Sequence, residues 1–115
     1  MSGRKKKIMN EEVIEKTIEW CRGCFNINSE YVIAYKRRHM DDCWAECERI
    51  NDIAFEITIH PTMCIRDTVA TVIHEMLHVK QWIHESKRDE DDDGEAEANS
   101  LQYKLADLMW SLGVL

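Results

Sequence analysis

TVIHEMLHVKQWIH, residues 71–84, sets three histidines and one glutamate into a stretch that otherwise reads as a packed helix. The apolar positions Ile65, Val69, Val72, Met76, Val79 and Ile83 step by four and three, which is the spacing of one helical stripe. They predict a single long helix over residues 65–86. At ~100° and ~1.5 Å per residue, His74 and His78 are separated by only ~40° and ~6 Å. Both imidazoles therefore point at one place, on the side of the helix away from that stripe. Two histidines at i and i+4 with a glutamate at i+1 form the H-E-x-x-H arrangement. Two neutral imidazoles can hold a Zn²⁺ ion at ~2.0–2.1 Å. Glu75, ~100° further round, is placed to reach a water on such an ion rather than to ligate it.

His84 stands ten residues after His74. A metzincin, H-E-x-x-H-x-x-G-x-x-H, puts its third ligand at that place and uses the glycine to turn the chain back. Here the glycine position is Gln81, and no glycine or proline follows until Gly94. On a continuous helix His84 sits ~80° from His74 and ~9 Å beyond His78 along the axis, so it reads as a surface histidine. Gln81 stays on the His74/His78 face.

A third ligand must then come from elsewhere. GEAEAN, residues 94–99, opens a helix expected from Glu95 to about Leu112, with Ala98, Leu101, Leu105, Leu108 and Leu112 as its apolar stripe. Glu95 and Glu97 are the candidates. Glu97 lies nearer the leucine stripe, so Glu95 is preferred. Asn99, one turn after Glu95, is placed to accept the Nδ1–H of a ligand histidine and so fix its tautomer.

Upstream, Asn10 followed by Glu11 and Glu12 reads as a helix start. Val13, Ile14, Thr17, Ile18, Cys21 and Phe25 follow at helical spacing, and Gly23 and residues 26–29 end the helix. YVIAYKRR (31–38), CWAECERI (43–50) and AFEITIHP (54–61) read as strands. In the last, Phe55, Ile57 and Ile59 alternate with Glu56, Thr58 and His60, the pattern of a half-buried strand. Short polar linkers predict a three-strand meander. The expected fold is α+β: an N-terminal backing helix, a small three-stranded sheet, a helix bearing the histidines and a C-terminal glutamate helix. It forms one domain over residues 1–115. Residues 1–8, with the run Arg4-Lys5-Lys6-Lys7, read as a flexible basic tail, and KRDEDDDG (87–94) as a solvated loop.

Of 115 residues, 44 % are hydrophobic and 32 % charged, which fits a globular domain, and the net charge of −7 argues against nucleic acid as the main partner. No apolar run approaches the roughly 18 residues of a membrane span, and no apolar segment follows the basic start as in a secretory signal. With five cysteines, a cytoplasmic location with free thiols is expected. C21-x-x-C24 and C43-x-x-x-C47 offer a weaker second reading, a structural zinc site.

H74-E-M-L-H78 followed by E95-A-E-A-N99 resembles the gluzincin metallopeptidases, in which H-E-x-x-H on one helix is completed by a glutamate on the next. The size, the H-E-x-x-H-x-x-Q run and the element order look like the single-domain minigluzincins, giving a minimal zincin-like fold. The resemblance implies a zinc metalloendopeptidase with one catalytic Zn²⁺ on His74, His78 and Glu95; a peptide or unfolded protein is the expected substrate, and a monomer is favoured. It implies that Glu75 takes a proton from water and passes it to the leaving amine. It also implies peptide binding along a sheet edge, for which residues 43–50 are the candidate. Tyr103 is a candidate to hold the oxyanion, and the apolar end MWSLGVL (109–115) a candidate to lie in the cleft and inhibit it. Two further readings stay open: a regulatory protease resembling the repressor-cleaving kind, which carries E-x-E-A-N after H-E-x-x-H, and a non-catalytic zinc-binding module.

Overall fold

The structure is a computed structural model and describes residues 10–85 and 92–115. The elements are α1 (Asn10–Phe25), β1 (Val32–Arg37), β2 (Ala45–Asn51), β3 (Ala54–Ile59), α2 (Ile65–Lys80), a π-helical turn (Gln81–Glu85) and α3 (Asp92–Ser111). This is the expected α+β arrangement of three helices and a three-stranded sheet. The basic tail lies outside the described residues, as does most of the charged loop. α3 begins at Asp92 rather than at Glu95, so residues 92–94 of the expected loop belong to the helix.

α1 buries Val13, Ile14, Thr17, Ile18 and Cys21, the stripe read from the sequence. It ends on Asn26, whose φ of 56° is a left-handed conformation that asparagine tolerates better than most residues. The Ile27 N–H then reaches back to the Arg22 carbonyl at 2.9 Å, closing the helix end.

The sheet is not a meander. Its order is β1-β3-β2, with β1 parallel to β3 and β2 antiparallel to it. Only the β2–β3 connection is a tight hairpin, where the Asn51 side chain accepts the Ile53 N–H at 3.0 Å. The reason lies in side-chain character. β3 buries Phe55, Ile57, Thr58 and Ile59 and takes the centre, where both backbone edges are paired. β1 and β2 carry Lys36, Arg37, Glu46, Glu48 and Arg49 and take the edges, where charge reaches water. This order leaves β2 as an outer strand beside α2.

α2 is the spine of the fold. Val69, Ala70, Val72, Ile73, Met76, Leu77 and Val79 are all buried, a wider apolar surface than one stripe. α1, the sheet and α3 each pack on it. Cutting a buried Leu, Ile or Met here to alanine costs about 2–5 kcal/mol, so the histidines stand on the most firmly held helix.

The expected leucine stripe of α3 is corrected. Ala98, Ala106 and Met109 are its buried apolar positions, Leu101 and Leu105 are half-buried, and Leu108 and Leu112 are 45 % and 62 % exposed. Two alanines let α3 approach α2 closely, and closeness, not side-chain size, selects the packed face. The helix ends at Gly113 (φ 75°). The Val114 N–H meets the Met109 carbonyl and the Gly113 N–H that of Trp110, both at 3.1 Å, a Schellman closure that needs the glycine.

Candidate metal centre

The α2 helix does not break at Gln81. Gln81 keeps helical dihedrals, and its N–H bonds the carbonyls of Leu77 and His78. The five residues Gln81–Glu85 then widen into a π turn, so the long-helix expectation holds through Lys80 and is modified after it. His84 is thereby carried away from His74 and His78. It is exposed, and its Nε2 lies 3.1 Å from the carbonyl oxygens of both Phe25 and Asn26. An N–H there ties the end of α1 to the π turn, a role that its surface assignment did not reveal.

His74, His78 and Glu95 converge. Their ligand atoms all lie within 4.8 Å of one another, forming the one such group of three among the described residues. His74 Nε2 is 3.3 Å from His78 Nε2. The Glu95 carboxylate straddles the pair, Oε1 at 2.9 Å from His78 Nε2 and Oε2 at 3.3 Å from His74 Nε2. His78 is buried, His74 nearly so, and Glu95 is exposed toward the cleft.

The far side of each ring decides what these atoms can do. The Gln81 amide nitrogen donates to the Gly94 carbonyl at 3.0 Å and to Glu97 Oε1 at 2.7 Å. Its oxygen is therefore the atom that faces His78 Nδ1 at 2.9 Å, and Nδ1 must carry the hydrogen. His74 Nδ1 likewise meets Gln102 Oε1 at 2.6 Å. When both rings are neutral, they present bare Nε2 lone pairs to each other and to a carboxylate. A shared proton could join one pair of these atoms but not all three. The donor set fits a cation, and His74, His78 and Glu95 are residues that could bind a metal.

Glu97 is not in the group. It bonds Lys80 Nζ at 2.9 Å and Gln81 as above, joining α2 to α3. Burial alone would lower the Lys80 pKa, but the hydrogen bonds it donates to Glu97 and Glu85, with their charges, outweigh it and the net shift is upward. Asn99 is exposed beside the cleft, and the histidine-supporting role expected of it belongs to Gln81 and Gln102. Gln102 is seven residues after Glu95, two turns along the same face. That spacing was the available signal.

Gly94 allows the two helices to meet here. It is buried, and a β-carbon on it would stand 2.6 Å from Gln81 Oε1, the atom that holds His78. A side chain at 94 would thus push on the amide that orients His78.

The group opens into a cleft of about 660 Å³ lined by β2 from Ala45 to Arg49, by His74, Glu75, His78 and Trp82, and by Glu95. The β2 edge expected to flank the site does flank it. Glu75 is only 7 % exposed and lines this cleft and its continuation. Trp82 carries the Arg49 guanidinium 4.8 Å from its ring, and Arg49 also bonds Asp52 at 2.7 Å. Sequence reading missed Trp82, while Arg49 falls within the edge expected at 43–50.

Three expectations are corrected. Tyr103 does not line the metal cleft; its hydroxyl donates to Asp67 Oδ1 at 2.7 Å, and that bond, with some burial, raises its pKa. No residue of 109–115 lines the cleft, and Val114 and Leu115 pack against the core. The cysteines are free and bring no second metal group together among the described residues. Cys21 lies buried in the core. No helix among the described residues is long and apolar enough to cross a membrane. No protein family, curated protein or solved structure matches the chain, so the site is read from its own residues.

Proposed function

We propose that this chain is a zinc-dependent metallopeptidase of the gluzincin kind, with His74, His78 and Glu95 as ligands and Glu75 as general base. The observation that carries the proposal is the Nε2–Nε2 separation of 3.3 Å beneath a straddling carboxylate. Donors on a tetrahedral ion with bonds of ~2.0–2.1 Å stand about 3.3 Å apart, so the three side chains suit zinc with little movement. Bound there, zinc would acidify a water molecule and polarise a peptide carbonyl.

The remaining steps belong to the chain's own groups. The outer edge of β2 offers backbone N–H and C=O groups to an extended peptide, which lies over the histidines as an added strand. Glu75, adjacent to His74 and pointing into the same cleft, takes the proton of the attacking water on its carboxylate. It then delivers that proton to the amine nitrogen as the peptide C–N bond breaks. Its burial keeps the transfer out of bulk solvent. Gln81 and Gln102 hold the two rings so that Nε2, not Nδ1, faces the ion.

Metal content and peptide-library cleavage of the wild type and Glu75→Gln test this. The variant should retain one zinc per chain and lose at least about 10²-fold in turnover, the typical share of a positioned acid–base group. Zinc-loaded wild type that cleaves no peptide rejects the peptidase reading in favour of a zinc-binding module, and equal cleavage by both proteins removes Glu75 as the base.

A further inference from the structure

The cleft does not end at the metal group. A second cavity, of about 280 Å³, continues past His74 and Glu75 to Trp44, Thr71 and Gln102. The same Trp44, Thr71 and Gln102 line a third, of about 390 Å³, whose far wall includes Met63, Asp67 and Tyr103. The three spaces run in series, each sharing lining residues with the next, and we take them together as one groove. Its floor runs along one face of α2 and into the π turn, because Asp67, Thr71, His74 and His78 step by four, three and four and Trp82 follows four residues on. From Asp67 to Trp82 that floor is ~22 Å long at ~1.5 Å per residue, room for about six or seven residues of extended chain.

The far cavity has a definite chemistry. The Tyr103 hydroxyl engages Oδ1 of Asp67, which fixes the carboxylate in place. Trp44, 58 % exposed, presents its indole. Met63 is held by the Thr71 hydroxyl on its sulfur at 3.5 Å. An anchored carboxylate at the end of a wall of aromatic and thioether groups matches a long aliphatic stem with a cationic tip. The nearby cation, Arg66, does not line the cavity. It stacks on the Tyr103 ring at 4.6 Å and pairs with Asp107 at 3.3 Å. The metal cleft is lined by Glu46, Glu48, Glu75 and Glu95 and by Arg49; Arg49 is paired with Asp52 and Glu46 with Arg38.

We propose that the groove selects extended peptides carrying a lysine or arginine near the scissile bond, whose side chain runs past Trp44 and Met63 to pair with Asp67. This rests on the peptidase reading of the same site and adds to it the substrate class and a specificity-determining residue. Asp67 stands two turns before His74, ~10 Å along the axis, so one long side chain spans from the cleft to the carboxylate.

The test is anisotropy of fluorescein-labelled nonapeptides of alanine, serine and glycine with one central lysine, norleucine or glutamate, on full-length zinc-loaded Glu75→Gln protein. The lysine peptide should bind at least ten-fold more tightly than the norleucine peptide and the glutamate peptide most weakly, with the preference shrinking at high salt. Asp67→Asn should level lysine and norleucine. Should that variant unfold, Tyr103→Phe, which removes only the hydroxyl, should lower the lysine preference without changing norleucine binding. Equal or tighter norleucine binding, or no binding of any peptide, overturns the proposal. Cleavage of the peptides by wild type without lysine preference removes the pocket and leaves the peptidase. Lysine-selective binding without cleavage by wild type removes the peptidase and leaves the pocket.

Discussion

His74 and His78 face each other edge to face, with ring centroids 4.9 Å apart and an interplanar angle of 76°, and their Nε2 atoms 3.3 Å apart. Each ring is held from behind by a glutamine oxygen. Lone pairs so placed repel one another until a cation sits between them. Zinc should therefore stabilise the fold by about 2.7 kcal/mol at a free concentration 100-fold above its Kd, read as a rise in Tm that a chelator reverses. His74→Ala, His78→Ala and Glu95→Ala should each abolish that rise. His84→Ala should keep it in full while lowering stability by about 1 kcal/mol, the net worth of the bond it makes to the end of α1. Loss of the zinc response in His84→Ala would move the third ligand.

Gln102 and Asn99 share a face of α3, but only Gln102 meets an imidazole. Gln102→Ala should weaken zinc binding by about 10- to 100-fold, the usual effect of removing a ligand's hydrogen-bond partner. Asn99→Ala should change it little. Zinc titration against a competing chelator compares them directly, and the reverse ranking would restore Asn99 to the role that the sequence suggested.

Gly94→Ala sets two effects against each other. Alanine within a helix is favoured over glycine by roughly 0.5–1 kcal/mol. The new β-carbon, however, would stand 2.6 Å from Gln81 Oε1, and that side chain cannot yield without giving up bonds to His78, Gly94 and Glu97. The clash should dominate, with a loss of about 1–3 kcal/mol and weaker zinc binding. In a Gln81→Ala background the obstacle is gone, and Gly94→Ala should become neutral or stabilising. Additive effects in this double-mutant cycle would show that the two residues do not bear on one another.

The Tyr35 hydroxyl donates to Glu15 Oε2 at 2.7 Å, pinning β1 to α1. Desolvation, then this bond and the Glu15 charge, raise its pKa to about 12. The folded state thus keeps the phenolic proton longer than the unfolded chain does, whose tyrosines titrate near 10. Stability from this pair should be intact below pH ~10 and decline as pH rises toward ~12. Tyr35→Phe should show a shallower alkaline decline in urea midpoint. An identical slope in both proteins would mean that the bond contributes nothing to the linkage.

Deleting residues 113–115 removes the Schellman closure of α3 and two side chains packed on the core. The expected result is a lower Tm with no rise in peptidase activity, since this segment lies away from the cleft. Higher activity in the truncated protein would mean that the tail can reach the groove in solution.

Local periodicity made much of this protein legible. The buried face of α1, the alternation in β3 and the convergence of His74 with His78 depend only on residue spacing along one element. The absence of a helix breaker at 81 was enough to set His84 aside, and the rank of Glu95 over Glu97 followed from its angle on α3. What spacing along one element cannot settle is how elements pack. The sheet order depended on which strand could afford burial on both edges. The α3 interface followed two alanines rather than the leucines, because small side chains let one helix lie against its neighbours. Gln81 and Gln102 became the partners of the histidines only once Gly94 let α3 lie against the π turn. Tyr103 was drawn to Asp67 instead of the metal cleft. The convergence of His74 and His78 was therefore determined by the sequence alone, through the helical repeat. The approach of Glu95, the hydrogen bonds behind the rings and the groove were decided by tertiary structure, because each needs two elements at a fixed distance and rotation that no single repeat encodes.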